Sequence, residues 1–139
     1  MASKSRGSSR TATDPGSVAE RLRMLDGIER FGVLATQEEG RSYASLVAYA
    51  LSPDLKTVIF ATPKDTRKYK NIVKADEIAL LLDNRSQPSP ITKAEAITLT
   101  GRAKPLRRGR QRDEMAALYL FKHPDLKEFV ESPSTALLT

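Results

Sequence analysis

The residues best suited to chemistry lie between Lys56 and Lys74, KTVIFATPKDTRKYKNIVK, where a short apolar strand ends at Thr62 and a turn leads into a helix opening on Thr66, Arg67 and Lys68. A hydroxyl and two cations beside the unpaired N–H groups of a helix start satisfy both the charge and the acceptor oxygens of a phosphate. The segment therefore reads as an anion clamp. On residue chemistry alone it is equally consistent with a basic, exposed turn.

The elements that must position this clamp follow from patterning. Ser17, with Glu20 three positions later, reads as a capping box opening an amphipathic helix through Val18, Leu22, Leu25 and Ile28 that ends near Phe31. Gly32 marks a change of direction into Val33–Ala35, and Glu38, Glu39 and Gly40 connect to a strand over Tyr43–Leu51. Ser52, Pro53 and Asp54 form a turn, so that strand and Lys56–Ala61 make a hairpin delivering Thr62 to the clamp. Further strands are expected over Asp76–Leu82 and Ala94–Ala103, with Gly101 at a bulge or close approach. A helix over Asp113–Phe121 packs through Met115, Leu118, Tyr119 and Phe121. His123 acts as a cap or surface residue before Pro124, and a short helix covers Asp125–Val130. The last residues, SPSTALLT, enter a strand, leaving a doubt whether one more strand belongs there and whether Thr139 is the native end. These elements predict a mainly β domain with flanking helices over residues 17–139, its strands closed into a barrel. The first 16 residues, poor in large apolar side chains, read as a flexible basic tail.

Composition bounds the function classes. The 139 residues suffice for one core, the net charge is +6, there is no cysteine, and the one histidine argues against multi-histidine metal centres. No signal-like or membrane-length apolar run is seen, so a cytoplasmic protein without a metal is expected. Positive charge favours anionic ligands. A nucleic-acid-binding module using the tail and Arg102–Arg112 is the least favoured class, because no reading helix or stacking surface emerges.

The motifs GVLAT at 32–36, SYASLVAYALS at 42–52 and VIFATPKDTRKYKNI at 58–72, followed by LLLDNRSQ at 80–87 and AITLTGRA at 96–103, resemble the pyridoxamine 5'-phosphate oxidase-like family of FMN-binding split β-barrels. The similarity runs from about Val18 to the C-terminus. It implies an FMN-binding split β-barrel with Thr62, Thr66, Arg67 and Lys68 on the flavin phosphate and Ala61 and Asn71 at neighbouring ligand-facing positions. Ser45, Leu46 and Val47 would line the flavin ring and ribityl chain. Asn84, Arg85 and Ser86 would reach the flavin of the partner in a homodimer with two shared sites. The implied activity is that of a flavin-dependent oxidoreductase using reduced nicotinamide or another small redox substrate, with no catalytic side chain assigned. The alternative is a noncatalytic FMN-binding or redox-sensing protein. Oxidation of pyridoxamine 5'-phosphate itself is less secure, because the chain has no tryptophan and ends before the arginine and aromatic elements that hold that substrate.

Overall fold

The computed structural model describes residues 15–139, with side chains from Val18 onward. Most of the tail expected over residues 1–16 thus lies outside the described residues, as does the side chain of Ser17. Helix α1 spans Pro15–Ile28, so Ser17 falls inside its first turn instead of capping it, and the helix stops three residues before Phe31. The order continues with β1 (Phe31–Glu38), β2 (Arg41–Leu51), β3 (Val58–Pro63), α2 (Arg67–Lys74), β4 (Glu77–Asp83), β5 (Ala96–Arg102), α3 (Arg110–Lys122), α4 (Lys127–Glu131) and β6 (Thr135–Leu138). Short 3₁₀ turns occupy Ile91–Lys93 and Pro124–Leu126.

Both hairpins form because their turns supply the backbone conformations that tight reversal needs. Glu39 and Gly40 carry φ of 51° and 82° between β1 and β2. Between β2 and β3, the Ser52 hydroxyl donates to Asp54 at 2.7 Å and accepts from the Thr57 amide at 3.1 Å, which fixes the bend. Gly32 lies within β1, not at a change of direction. A Cβ there would stand 2.9 Å from Leu82 Cδ2 and 3.1 Å from the Leu81 carbonyl, so its role is close strand approach. Gly101 pairs in register with Ile78 without a bulge.

The six strands form one antiparallel sheet ordered β5-β4-β1-β2-β3-β6. The mainly β architecture with flanking helices is therefore as expected, but the split β-barrel is not formed: β5 and β6 are the two ends of the sheet and share no ladder. Closure needs a continuous staggered ladder around the sheet. Here β6 has four residues, all paired with β3, and the segment after β5 meets it through the single bridge Pro105↔Leu138 and the Leu106 amide bond to the Leu137 carbonyl, not through a ladder from β5 itself.

Period-two alternation sorts the strands between two cores. Leu34, Val47, Tyr49, Phe60, Leu80, Leu82 and Leu138 point to the inner face, where Leu25 of α1 and Ile72 of α2 join them. On the opposite face Ala50, Ile59, Ala61 and Leu137 pack under Tyr119 of α3 and Val130 of α4. Strands β2, β3 and β6 are thus sandwiched. The outer face of β1 and β4 has no helix over it, leaving Phe31 and Leu46 51% and 61% exposed beside Val33 and Leu81.

Two further expectations are corrected. His123 caps α3 as anticipated but is no surface residue: it is fully buried, and its Nε2–H donates to the Tyr49 carbonyl at 2.8 Å. Phe121 makes no core contact and is 91% exposed, because it lies on the side of α3 opposite Tyr119's packing.

Candidate functional site

The clamp forms at the junction of β3 and α2. Thr66 adopts extended backbone (φ −89°, ψ 158°) and its hydroxyl accepts from the Tyr69 amide, which makes it the N-cap of α2. The same Oγ donates to the Pro63 carbonyl at 2.8 Å and lies 2.9 Å from the hydroxyl of Thr62. Thr62 is completely buried, so Thr66 is the member of the pair nearer solvent. The next residue, Arg67, reaches out: its guanidinium stands 5.4 Å from the Tyr43 ring centroid and 4.0 Å from a Glu38 oxygen. Its side chain is 61% exposed, so that ion pair is weak and the charge remains available. Lys68 forms no ion pair among the described residues.

A second layer ties this corner to the sheet. Asn71 is buried and donates from Nδ2 to Thr36 Oγ1 at 3.0 Å, and Thr36 in turn bonds the Tyr43 carbonyl at 3.5 Å. Ser45 follows Tyr43 by two positions on the same strand face. Its hydroxyl is buried and has no hydrogen-bond partner among the described residues, an unsatisfied polar atom of the kind that a ligand's polar group would complete. This orphan hydroxyl, the exposed Arg67 guanidinium and the free first turn of α2 fit a phosphorylated molecule that also presents hydrogen-bonding edges.

Not every expected residue converges here. Val47 is buried on the inner face with Ser45, whereas Leu46 projects to the outer face. Ala61 faces the α3 side, opposite Thr62. Asn71 gives its Nδ2 donor to Thr36. Asn84, Arg85 and Ser86 follow β4 and lie by the Phe31 end of β1, away from the Glu38 end that Arg67 approaches, as the Val33↔Leu81 register requires. Their side chains are locally engaged: Asn84 bonds Lys93 and Glu95, Arg85 wraps Asp83 at 2.7 Å, and Ser86 donates to Glu29 at 2.6 Å. Hydrogen bonds from Arg85 hold the Asp83 carboxyl below its ordinary range. Within one chain these three residues do not meet Thr62, Thr66, Arg67 and Lys68.

Sequence reasoning passed over Thr36 and Tyr43 at this site. The period-two spacing of Tyr43, Ser45 and Val47 was the signal for one of them, while the Asn71–Thr36 pair spans 35 positions and leaves no local trace. Among the described residues, no group of three or more His, Cys, Asp or Glu is placed to hold a metal ion, and no helix is long and apolar enough to cross a membrane.

The family described as pyridoxamine 5'-phosphate oxidase matches residues 23–139, and the chain belongs to it. No curated protein matches the chain. Among solved structures it is similar to a haem-binding protein from Mycobacterium smegmatis, with 20% identity and a TM-score of 0.76 over 94% of this chain and 51% of that one. It is also similar to HutZ, the haem storage protein from Vibrio cholerae, with 10% identity and a TM-score of 0.74 over 86% and 85% of the two chains. A third is a putative pyridoxamine 5'-phosphate oxidase from Listeria innocua, with 13% identity and a TM-score of 0.65 over 87% and 90%. The chain thus spans about half the length of the Mycobacterium protein and most of the other two. At these identities the likeness is one of fold, and the fold is shared by proteins described as oxidases and as haem binders.

Proposed function

We propose that the chain binds FMN at the α2 end of the sheet's inner face and acts, as a homodimer, as a flavin-dependent oxidoreductase of the pyridoxamine 5'-phosphate oxidase type. The observation that carries this reading is the Thr62–Thr66 hydroxyl pair, 2.9 Å apart at the start of α2 and followed by Arg67 and Lys68. Thr66 and the α2 amides bind the phosphate oxygens, and Arg67 and Lys68 neutralise its charge. The Ser45 hydroxyl, which lacks a protein partner, bonds a polar edge of the cofactor, and Val47 and the inner face keep water from one side. FMN held there would supply hydride and electron transfer, and the chain's own residues would hold and orient the reactants. The donor is a reduced nicotinamide or another small redox molecule.

The outer face bearing Phe31, Val33, Leu46 and Leu81 is where a second copy packs. A two-fold arrangement uses one self-complementary patch twice.

Haem is the competing cofactor, since two structures sharing the fold are described as haem proteins. The chain's single histidine is not placed for axial ligation: His123 is fully buried, with Nε2 given to the Tyr49 carbonyl.

The test is the visible spectrum of the purified chain, followed by titration with FMN and, separately, with haemin. Flavin bands or saturable FMN binding that disappears in Arg67→Ala/Lys68→Ala supports the proposal. Folded protein that takes up haemin but no FMN overturns it.

A further inference from the structure

A second basic concavity, made of different residues, lies between the end of β5 and the start of α3. It is an open depression of about 590 Å³ lined by Arg102, Lys104, Arg107, Arg108 and Arg110 around the apolar surface of Pro105 and Leu106. We infer that this is a binding site for a phosphorylated small molecule of nucleotide size, distinct from the FMN clamp.

The charge balance supports this inference. Arg102 is already paired, at 2.8 Å with Asp76 and 3.6 Å with Glu77. Lys104, Arg107, Arg108 and Arg110 are exposed, and none forms an ion pair among the described residues. Among the described residues no Asp or Glu lines the concavity. Four like charges gathered around one concavity repel one another, and an anion with several acceptor oxygens relieves that repulsion. Three guanidinium groups suit phosphate oxygens in particular, because their planar forks bind two oxygens at once.

The backbone around the cavity is rigidly held. Lys104 and Thr139 exchange amide hydrogen bonds at 3.0 and 3.1 Å, and the Leu106 amide bonds the Leu137 carbonyl at 2.8 Å. Gly109 (φ 146°) opens α3 with no side chain capping its first turn, so first-turn amides add donors beside the guanidinium groups. The volume falls in the range of small-molecule pockets, roughly 300–1,000 Å³. Pro105 and Leu106 offer an apolar floor for the organic body of the ligand. Among the described residues no aromatic side chain lines the concavity, which favours a compact ligand over single-stranded nucleic acid, whose tracks carry stacking surfaces.

The experiment titrates the full chain, saturated with FMN, with ADP and with pyrophosphate in a calorimeter at constant ionic strength. One-to-one saturable binding of at least one probe is expected. Arg107→Ala/Arg108→Ala, whose side chains make no hydrogen bond among the described residues, should weaken it by roughly tenfold or more while FMN content stays unchanged. ADP binding without pyrophosphate binding shows that the organic body contributes. No saturable binding of either probe, or equal affinity in the double variant, overturns the inference. Binding confined to polynucleotides with steep salt dependence overturns it too. If Arg107→Ala/Arg108→Ala instead abolishes FMN uptake while Arg67→Ala/Lys68→Ala does not, the FMN reading of α2 fails and this cavity is the flavin phosphate site.

Discussion

Asn71 of α2 and Thr36 of β1, both all but sealed from solvent, are joined by a 3.0 Å hydrogen bond that fastens the helix carrying the clamp to the centre of the sheet. Removing the carboxamide in Asn71→Ala strands a buried hydroxyl whose remaining contact, to the Tyr43 carbonyl, is 3.5 Å long. We expect a loss of about 1–3 kcal/mol in urea unfolding. Thr36→Val combined with Asn71→Ala should cost less than the sum of the two single changes, because no orphaned polar group remains. Additive costs would show that the pair is not coupled.

Thr66 has two duties that a pair of substitutions separates. Thr66→Ala removes the α2 N-cap, at about 1 kcal/mol of stability, and with it a hydroxyl of the clamp. Thr66→Ser keeps both. If the hydroxyl touches the FMN phosphate, the alanine variant loses FMN affinity by more than its fall in stability accounts for, and serine restores it. Fluorescence titration and thermal melts on the same samples check this.

The buried imidazole of His123 makes stability depend on pH in a defined window. Burial is the main reason its pKa lies below the ordinary 6.5; the Tyr49 hydrogen bond opposes this, while the Lys122 and Arg30 cations reinforce it. The folded state therefore binds the proton less readily than the unfolded chain. The contribution of His123 is fully present above about 6.5 and is lost as pH falls through the lower, folded value. His123→Gln, which keeps a donor for the Tyr49 carbonyl, should flatten the stability profile below about pH 6.5. An unchanged slope would locate the acid sensitivity elsewhere. Asp83, held low by Arg85, contributes only in a more acidic window, below its ordinary 3.8.

Leu46 tests the proposed dimer. It is 61% exposed on the uncovered outer face, so Leu46→Glu disturbs no packing inside the chain. We expect light scattering to show a shift from dimer to monomer with the melting temperature of the monomer fold preserved. A dimer that survives the charge uses another surface.

Much of the local structure was legible because it is written in short-range chemistry. The turn at Ser52–Asp54, the helix start at Thr66 and the strand leading to Thr62 each depend on neighbours a few residues away. What escaped reading depends on distant partners. Nothing around His123 announces that the Tyr49 carbonyl, 74 positions earlier, will draw the ring inside. Glu29 reads as a charged residue at a helix end, yet it is only 6% exposed and anchors Ser86 and Gln87 at 2.6 and 3.2 Å. The barrel expectation failed for a related reason. Strand count and polarity were visible, but whether β5 meets β6 depends on the path through Lys104 and Pro105, where a single bridge takes the place of a ladder. Ser45 and Arg67 were legible as residue types, while the orphaned state of one and the free charge of the other emerge only in three dimensions.

The unequal covering of the two halves of the sheet sets up a gradient of local opening. Strands β2, β3 and β6 carry packed side chains on both faces, so freeing their amides means dismantling both cores together. Strands β4 and β5 are clad on one side only, and β5 presents a bare margin. Thr62, at the heart of the clamp, belongs to the doubly clad half through its pairing with Ala136. The anchor for the phosphate thus sits in the part of the molecule last to breathe, while the uncovered flank remains free to yield to whatever docks against it.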